Sequence, residues 1–227
     1  MRTVLITIFS VLFIDQILKL WVKAKFFLGE EIGGLGFVKL QFIENPGMAF
    51  GMEFGGVWGK VALSLFRVGA VVVIWFIIKN LLNNKAHKGL VFSVGLIFAG
   101  ALGNILDSAF YGLMFSESLN PAYVMLPDEM CVAQFLPEAG GYANFMTGHV
   151  VDMIHFEFHY PSWTPFDLAG SEIFPPVFNI ADFSISIGVG IIIVFNKRFL
   201  GKGKGDFSVF RKQQEVAKEP AESGIEQ

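Results

Sequence analysis

The chain has 227 residues, of which 53% are hydrophobic and 16% charged, and 26 are phenylalanine. Soluble domains carry about 25% charged residues, so this composition argues against a soluble fold and for a membrane one. The formal charge of −3 gives no basis for nucleic-acid binding, and the single cysteine, Cys131, excludes an internal disulfide framework.

Four apolar stretches approach the roughly 20 helical residues that cross a bilayer: about 3–22, 61–78, 90–106 and 178–195. The first reads as an uncleaved span rather than a signal peptide. Its leading region holds only Arg2, Asp15 interrupts the apolar run, and no small-x-small site follows. The loop at 24–60 carries GGLG at 33–36 and then FVKLQFIEN at 37–45, whose period-two alternation predicts a strand at the membrane surface. The loop at 107–177 divides in two. Residues 111–148, with Pro121, Pro127, Pro137 and the Gly140-Gly141 pair, read as an irregular insertion. HVVDMIHFEFHY at 149–160 alternates again, with Ile154, Phe156, Phe158 and Tyr160 on one face and His155, Glu157 and His159 on the other.

Basic residues set the expected orientation. Lys79, Lys85 and Lys88 crowd the link between spans two and three, and Lys197, Arg198, Lys202 and Lys204 follow span four. Between Gly89 and Asn196 there is no Lys or Arg. The positive-inside rule therefore puts both termini in the cytoplasm and both long loops outside. The expected fold is an α-helical integral membrane protein with four transmembrane helices and a small extracytoplasmic β-containing region. Residues 1–200 form one domain without internal repeat, and residues 201–227 a disordered cytoplasmic tail.

Helical rise gives each intramembrane polar group a depth. Asp15 lies about 18 Å along the first span, Asn104 and Asp107 about 21 and 25 Å along the third, and Asp182 about 6 Å below the outer end of the fourth. In a hydrocarbon core about 30 Å thick, these groups converge on its outer third. Ionisable groups at that depth usually face the bundle interior and mark function. Asp15 and Lys19, one turn apart, can simply pair. Arg67 can snorkel outward, and Asn45, Asn104 and Asn179 can each cap a turn or helix. Asp152 and Asp182 resist such readings, because both sit in apolar settings with no basic residue nearby in sequence.

In order, the polar motifs are DQILK at 15–19, NPGMAFG at 45–51, GNILDS at 103–108, VVDM at 150–153 and FNIAD at 178–182. This series resembles lipoprotein signal peptidase (signal peptidase II), a family of bacterial inner-membrane aspartyl proteases, over most of residues 1–200. The resemblance implies Asp152 and Asp182 as the catalytic pair. It implies Asn45, Gly47 and Ala49 as lining the substrate site, Asn104, Asp107 and Asn179 as its support, and Asp15 and Lys19 as the first-span pair. It also implies a monomer in the cytoplasmic (inner) membrane among phospholipids. That enzyme needs no metal or other cofactor and cuts prolipoproteins on the N-terminal side of a diacylglyceryl-modified cysteine. Two departures stand out: Ser108 replaces the arginine usual after the GNxxD aspartate, and the 111–148 insertion exceeds the compact family pattern.

Two other readings compete. His155, Glu157 and His159, with His149 nearby, could hold zinc in a metal-dependent hydrolase. The intramembrane carboxylates could instead serve a proton or cation relay in a channel or transporter.

Overall fold

A computed structural model describes residues 1–34, 36–46, 56–165 and 168–199. The expected tail and the positions Gly47 and Ala49 lie outside the described residues.

The elements in chain order are α1 (Arg2–Lys25), β1 (Glu31–Ile32), β2 (Val38–Asn45), α2 (Gly56–Asn83) and α3 (Lys88–Leu106). A π-helical turn at Asp107–Tyr111 carries α3 into α4 (Gly112–Met114), followed by α5 (Pro121–Val124), α6 (Asp128–Cys131), β3 (Val150–Phe156) and α7 (Ile180–Phe199). Four helical stretches are long and apolar enough to cross a bilayer: Arg2–Lys25, Ala62–Asn83, Lys88–Met114 and Ile180–Phe199. They correspond to the four expected spans. Their outward side chains are large and apolar, among them Phe9, Phe66, Phe76 and Val194, each more than half exposed. Lipid accounts for such a surface, since a helix hydrophobic all round belongs in a membrane or a deep core.

α3 is the central helix and packs on the other three spans. Its approach to α7 is close because small residues face one another. A Cβ built at Gly100 would stand 2.2 Å from the Ala181 carbonyl oxygen, and one at Gly188 2.6 Å from that of Ser93. Between lipid-embedded helices, where water gives no hydrophobic drive, such close backbone contact supplies the association energy.

The three strands form an antiparallel sheet in the order β1-β2-β3. Both alternating stretches are thus strands, although β3 ends at Phe156 and the chain continues irregularly. Ile43 pairs with Asp152 and Asn45 with Val150, after an irregularity between Leu40 and Ile43. One apolar cluster, including Ile8, Leu81, Val94 and Ala99, joins the four spans. A second joins Val22 and Phe26 of α1 to Phe42, Tyr111, Phe115, Val151 and Met153. Along both α1 and α3 a buried polar layer separates these clusters.

The insertion is irregular, as expected, but not detached. Lys23 at the end of α1 pairs with Glu44 of β2, and Ser118 donates to the same carboxylate at 2.6 Å. His149 Nδ1 lies 3.0 Å from the other Glu44 oxygen, and the Lys23 ammonium stands 4.9 Å from the centre of the Tyr142 ring. Burial alone would push Glu44 up, but the His149 hydrogen bond and the Lys23 charge outweigh it and hold the carboxyl at about 2.

Candidate active site

The site is built where the N-terminus of α7 meets β3. Asn179 caps α7: its Oδ1 accepts from the Asp182 backbone N–H at 2.9 Å, while Asp182 Oδ2 accepts from the Asn179 N–H at 3.3 Å. This is a reciprocal capping box, with the carboxylate three residues past the cap. The spacing of Asn179 and Asp182 therefore has a local cause, and it leaves Asp182 at the positive end of the helix dipole. The Asn179 amide meanwhile donates to Asp152 Oδ1 at 2.7 Å. One side chain thus touches both aspartates.

Asp152 is 4% exposed on β3. Asn45, opposite Val150 and hence diagonal to Asp152, donates to its second oxygen at 3.4 Å. Burial, and after it the charge of Asp182, raises the Asp152 carboxyl to about 7.

Beneath the pair lies the polar layer. Asn104 Nδ2 donates to Asp182 Oδ1 at 2.8 Å. Its Oδ1 accepts from Lys19 at 2.9 Å and from Asn179 at 3.2 Å. Two donors on one side of the amide fix its orientation, so its N–H group must face Asp182. Lys19 also pairs with Asp107 at 2.7 Å and with Asp15 at 3.0 Å, and all three side chains are buried. Asp15 Oδ1 in turn accepts from the Ala181 N–H at 2.9 Å, anchoring the first turn of α7 to α1. Asp107 sits in the π-helical turn, where the altered backbone aims its carboxylate at Lys19 and at the Val151 N–H, 3.3 Å away.

The structure thus gathers eight of the ten residues named from the sequence: Asp152, Asp182, Asn45, Asn104, Asp107, Asn179, Asp15 and Lys19. Sequence reasoning overlooked Gln16, which donates to Asp107 at 2.8 Å and accepts from Tyr111 at 3.3 Å. Its place beside Asp15 at depth was the available signal. Arg67 does not simply turn outward. It is half-buried on α2, near enough to Asp182, Asp152 and Asp107 for their charges to act on it. Ser108 directs its hydroxyl to the Asn104 carbonyl at 3.2 Å and so takes no part in an ion pair. His149, grouped with the possible zinc ligands, pairs with Glu44 instead.

Asp182 also borders a cavity of about 360 Å³ whose walls are Phe156, Phe158, Phe174, Phe178 and Phe183. The arrangement offers two carboxylates oriented by amides, at the edge of an apolar cavity.

Comparison with known proteins identifies the family. The family model described as signal peptidase (SPase) II matches residues 7–197. A lipoprotein signal peptidase of Porphyromonas gingivalis is 40% identical over 199 residues, covering 85% of this chain and 82% of that protein. One from Amoebophilus asiaticus is 33% identical over 192 residues, covering 80% and 72%. A solved bacterial membrane enzyme shares the fold, with a TM-score of 0.54 at 21% identity over 86% of this chain and 87% of its own. A transport role gives way to these matches, and the chain belongs to the signal peptidase II family.

Proposed function

We propose that this protein is an aspartyl endopeptidase that removes signal peptides from diacylglyceryl-modified prolipoproteins, with Asp152 and Asp182 as its catalytic pair. The release of signal peptides from prolipoproteins follows from family membership. The observation that carries the chemistry is the single Asn179 side chain bonded to Asp152 and to the Asp182 backbone, beside an aromatic cavity.

In the mechanism this supports, Asp152 holds the proton shared by the pair, and Asp182 carries the charge at the helix N-terminus. Asp182 takes a proton from water as the water attacks the scissile carbonyl. Asp152 donates its proton to the carbonyl oxygen. As the tetrahedral intermediate collapses, Asp182 passes the proton it took from water to the leaving amine, and Asp152 recovers a proton from the diol hydroxyl, which restores the pair. Asn104 and Asn179 keep the carboxylates in place through the cycle. Asp15, Lys19, Gln16 and Asp107 support those amides from below. The orientation with both termini cytoplasmic, in the bacterial inner membrane, rests on the distribution of Lys and Arg. It puts the pair near the outer surface, where the lipidated cysteine of a substrate lies.

The test is cleavage of a lipidated prolipoprotein by purified protein in detergent. Asp152→Asn and Asp182→Asn each remove an ionisable group but almost no volume. Both variants should remain folded by thermal unfolding and lose cleavage. More than a few per cent of parental activity in either would reject the assignment.

A further inference from the structure

Beyond β3 the chain folds back on itself, and the return brings a residue far along the sequence onto the His155, Glu157 and His159 face. His159 bridges to Glu172, Gly170 donates to the Tyr160 carbonyl at 3.0 Å, and Ile173 donates to that of Phe158. One ligand atom each from Glu157, His159 and Glu172 then lies within 4.8 Å of the others. A second feature adjoins this cluster at Glu172 and offers it a fourth ligand. His155 is 5% exposed, and both of its ring nitrogens are without a hydrogen-bond partner among the described residues. An imidazole buried in that state forfeits its hydration with no return. Its Nε2 is 3.5 Å from Glu172 Oε2, too long for a good hydrogen bond. Two ligands about 2.0–2.1 Å from a tetrahedral ion stand about 3.4 Å apart.

Charge favours the same occupant. Lys39 pairs with Glu31 at 2.6 Å and with Glu157 at 2.8 Å, and Glu172 lies beside Glu157 without a lysine or arginine partner among the described residues. The region thus holds three carboxylates and one ammonium, an imbalance that a divalent cation corrects. Glu157 can give one oxygen to Lys39 and the other to an ion. Two imidazoles with two carboxylates suit zinc or a similar transition ion, whereas calcium and magnesium prefer oxygen alone.

We propose that His155, Glu157, His159 and Glu172 form a binding site for one divalent transition-metal ion of the zinc type. His155 and Phe156, adjacent in β3, point to opposite faces of the sheet, so His155 and the ion it holds lie across the strand from the cavity beside Asp182, which Phe156 helps to wall. The ion ties the returning segment to β3 and so braces that wall. It takes no part in peptide hydrolysis.

The experiment is a zinc titration of chelator-stripped, dialysed protein in detergent, read by calorimetry and by thermal unfolding. The expected result is one zinc ion per chain, a raised Tm, and no competition from calcium. His159→Gln and Glu172→Gln alter side chains that are not buried, so both variants should fold with the Tm of the metal-free parent. Each should weaken zinc binding by at least about tenfold, since losing even an outer partner of a ligand weakens binding about 10- to 100-fold. Asp152→Asn should bind zinc as the parent does, which separates this site from the catalytic pair. Failure of the parent to bind zinc stoichiometrically, or unchanged affinity in both variants, overturns the proposal. The cluster is then a solvated strand face organised by Lys39.

Discussion

Asn179 couples the two carboxylates, because its carbonyl is committed to the α7 backbone and its amide to Asp152. It cannot rotate toward one without losing the other. This division leaves Asp152 buried, close to the charge of Asp182, and raised to about 7. The sign follows directly. Below about pH 7 Asp152 keeps its proton and can donate it; above, two charged carboxylates face one another and neither can act as acid. The kcat/KM profile, which reports the free enzyme, should therefore fall on the alkaline side with a midpoint near 7. Asn45 donates to the charged form of Asp152, so Asn45→Ala should move that limb to higher pH. A limb that stays put while KM rises would make Asn45 a substrate contact only. Which carboxyl of the pair is raised was not legible in the sequence. VVDM places an acid beside apolar residues, but its neighbour Asp182 lies thirty positions on, and only the fold brings them together.

At the scale of elements, the sequence carried the four long helices and two of the three strands, β2 and β3, because helical length, apolar runs and period-two alternation are local properties. It also carried the meeting of polar groups from different spans at one level, since rise per residue needs no tertiary knowledge. The missing parts were those made by contacts across the chain. Glu44 reads as one more polar residue on an alternating strand, yet it is the acceptor for Lys23, Ser118 and His149 and so docks the insertion. Gly100 likewise reads as an ordinary small residue in an apolar helix. Its lack of a side chain is what lets α3 approach the first turn of α7, with a built Cβ 2.6 Å from Ser184 Oγ and 2.7 Å from Ile185. Gly100→Ala must push α7 away, at about 1–3 kcal/mol of overpacking strain. The Asn104–Asp182 bond of 2.8 Å spans the same interface. A shift of about 1 Å at a reacting group can reduce rate about a hundredfold, so kcat should fall on that order in a protein that is still folded. Gly190→Ala, on α7 with open space around its built Cβ, is the control and should be silent. Parental kcat and Tm in Gly100→Ala would show that the helix interface does not set the position of Asp182.

Across the whole molecule, an apolar exterior, a buried polar layer and an aromatic cavity bordered by Asp182 suit the proposed substrate, one that is itself held in lipid. The surface of the spans presents Ile6, Phe66, Phe76, Ile193 and Val194 to the bilayer, so the protein and a lipid-anchored peptide share one plane. Burying acyl methylenes contributes about 0.8 kcal/mol each, and two chains suffice to keep a peptide at the depth of the pair. An unlipidated prolipoprotein lacks this anchor and must reach the same depth by its signal segment alone, with its scissile bond less well placed. The cavity walled by Phe156 and Phe158 is then offered a peptide that is not registered against Asp152 and Asp182. Binding energy remote from the reacting bond serves to orient it, so the loss should appear in kcat as well as in KM. Raising the concentration of unlipidated substrate should for the same reason fail to restore the full rate. The measurement is kcat and KM for lipidated and unlipidated forms of one prolipoprotein in the same detergent, with Asp152→Asn as the blank. A kcat/KM many-fold higher for the lipidated form is expected. Equal values would remove the diacylglyceryl group from the recognition and leave a peptidase that selects its substrates by the apolar signal segment alone.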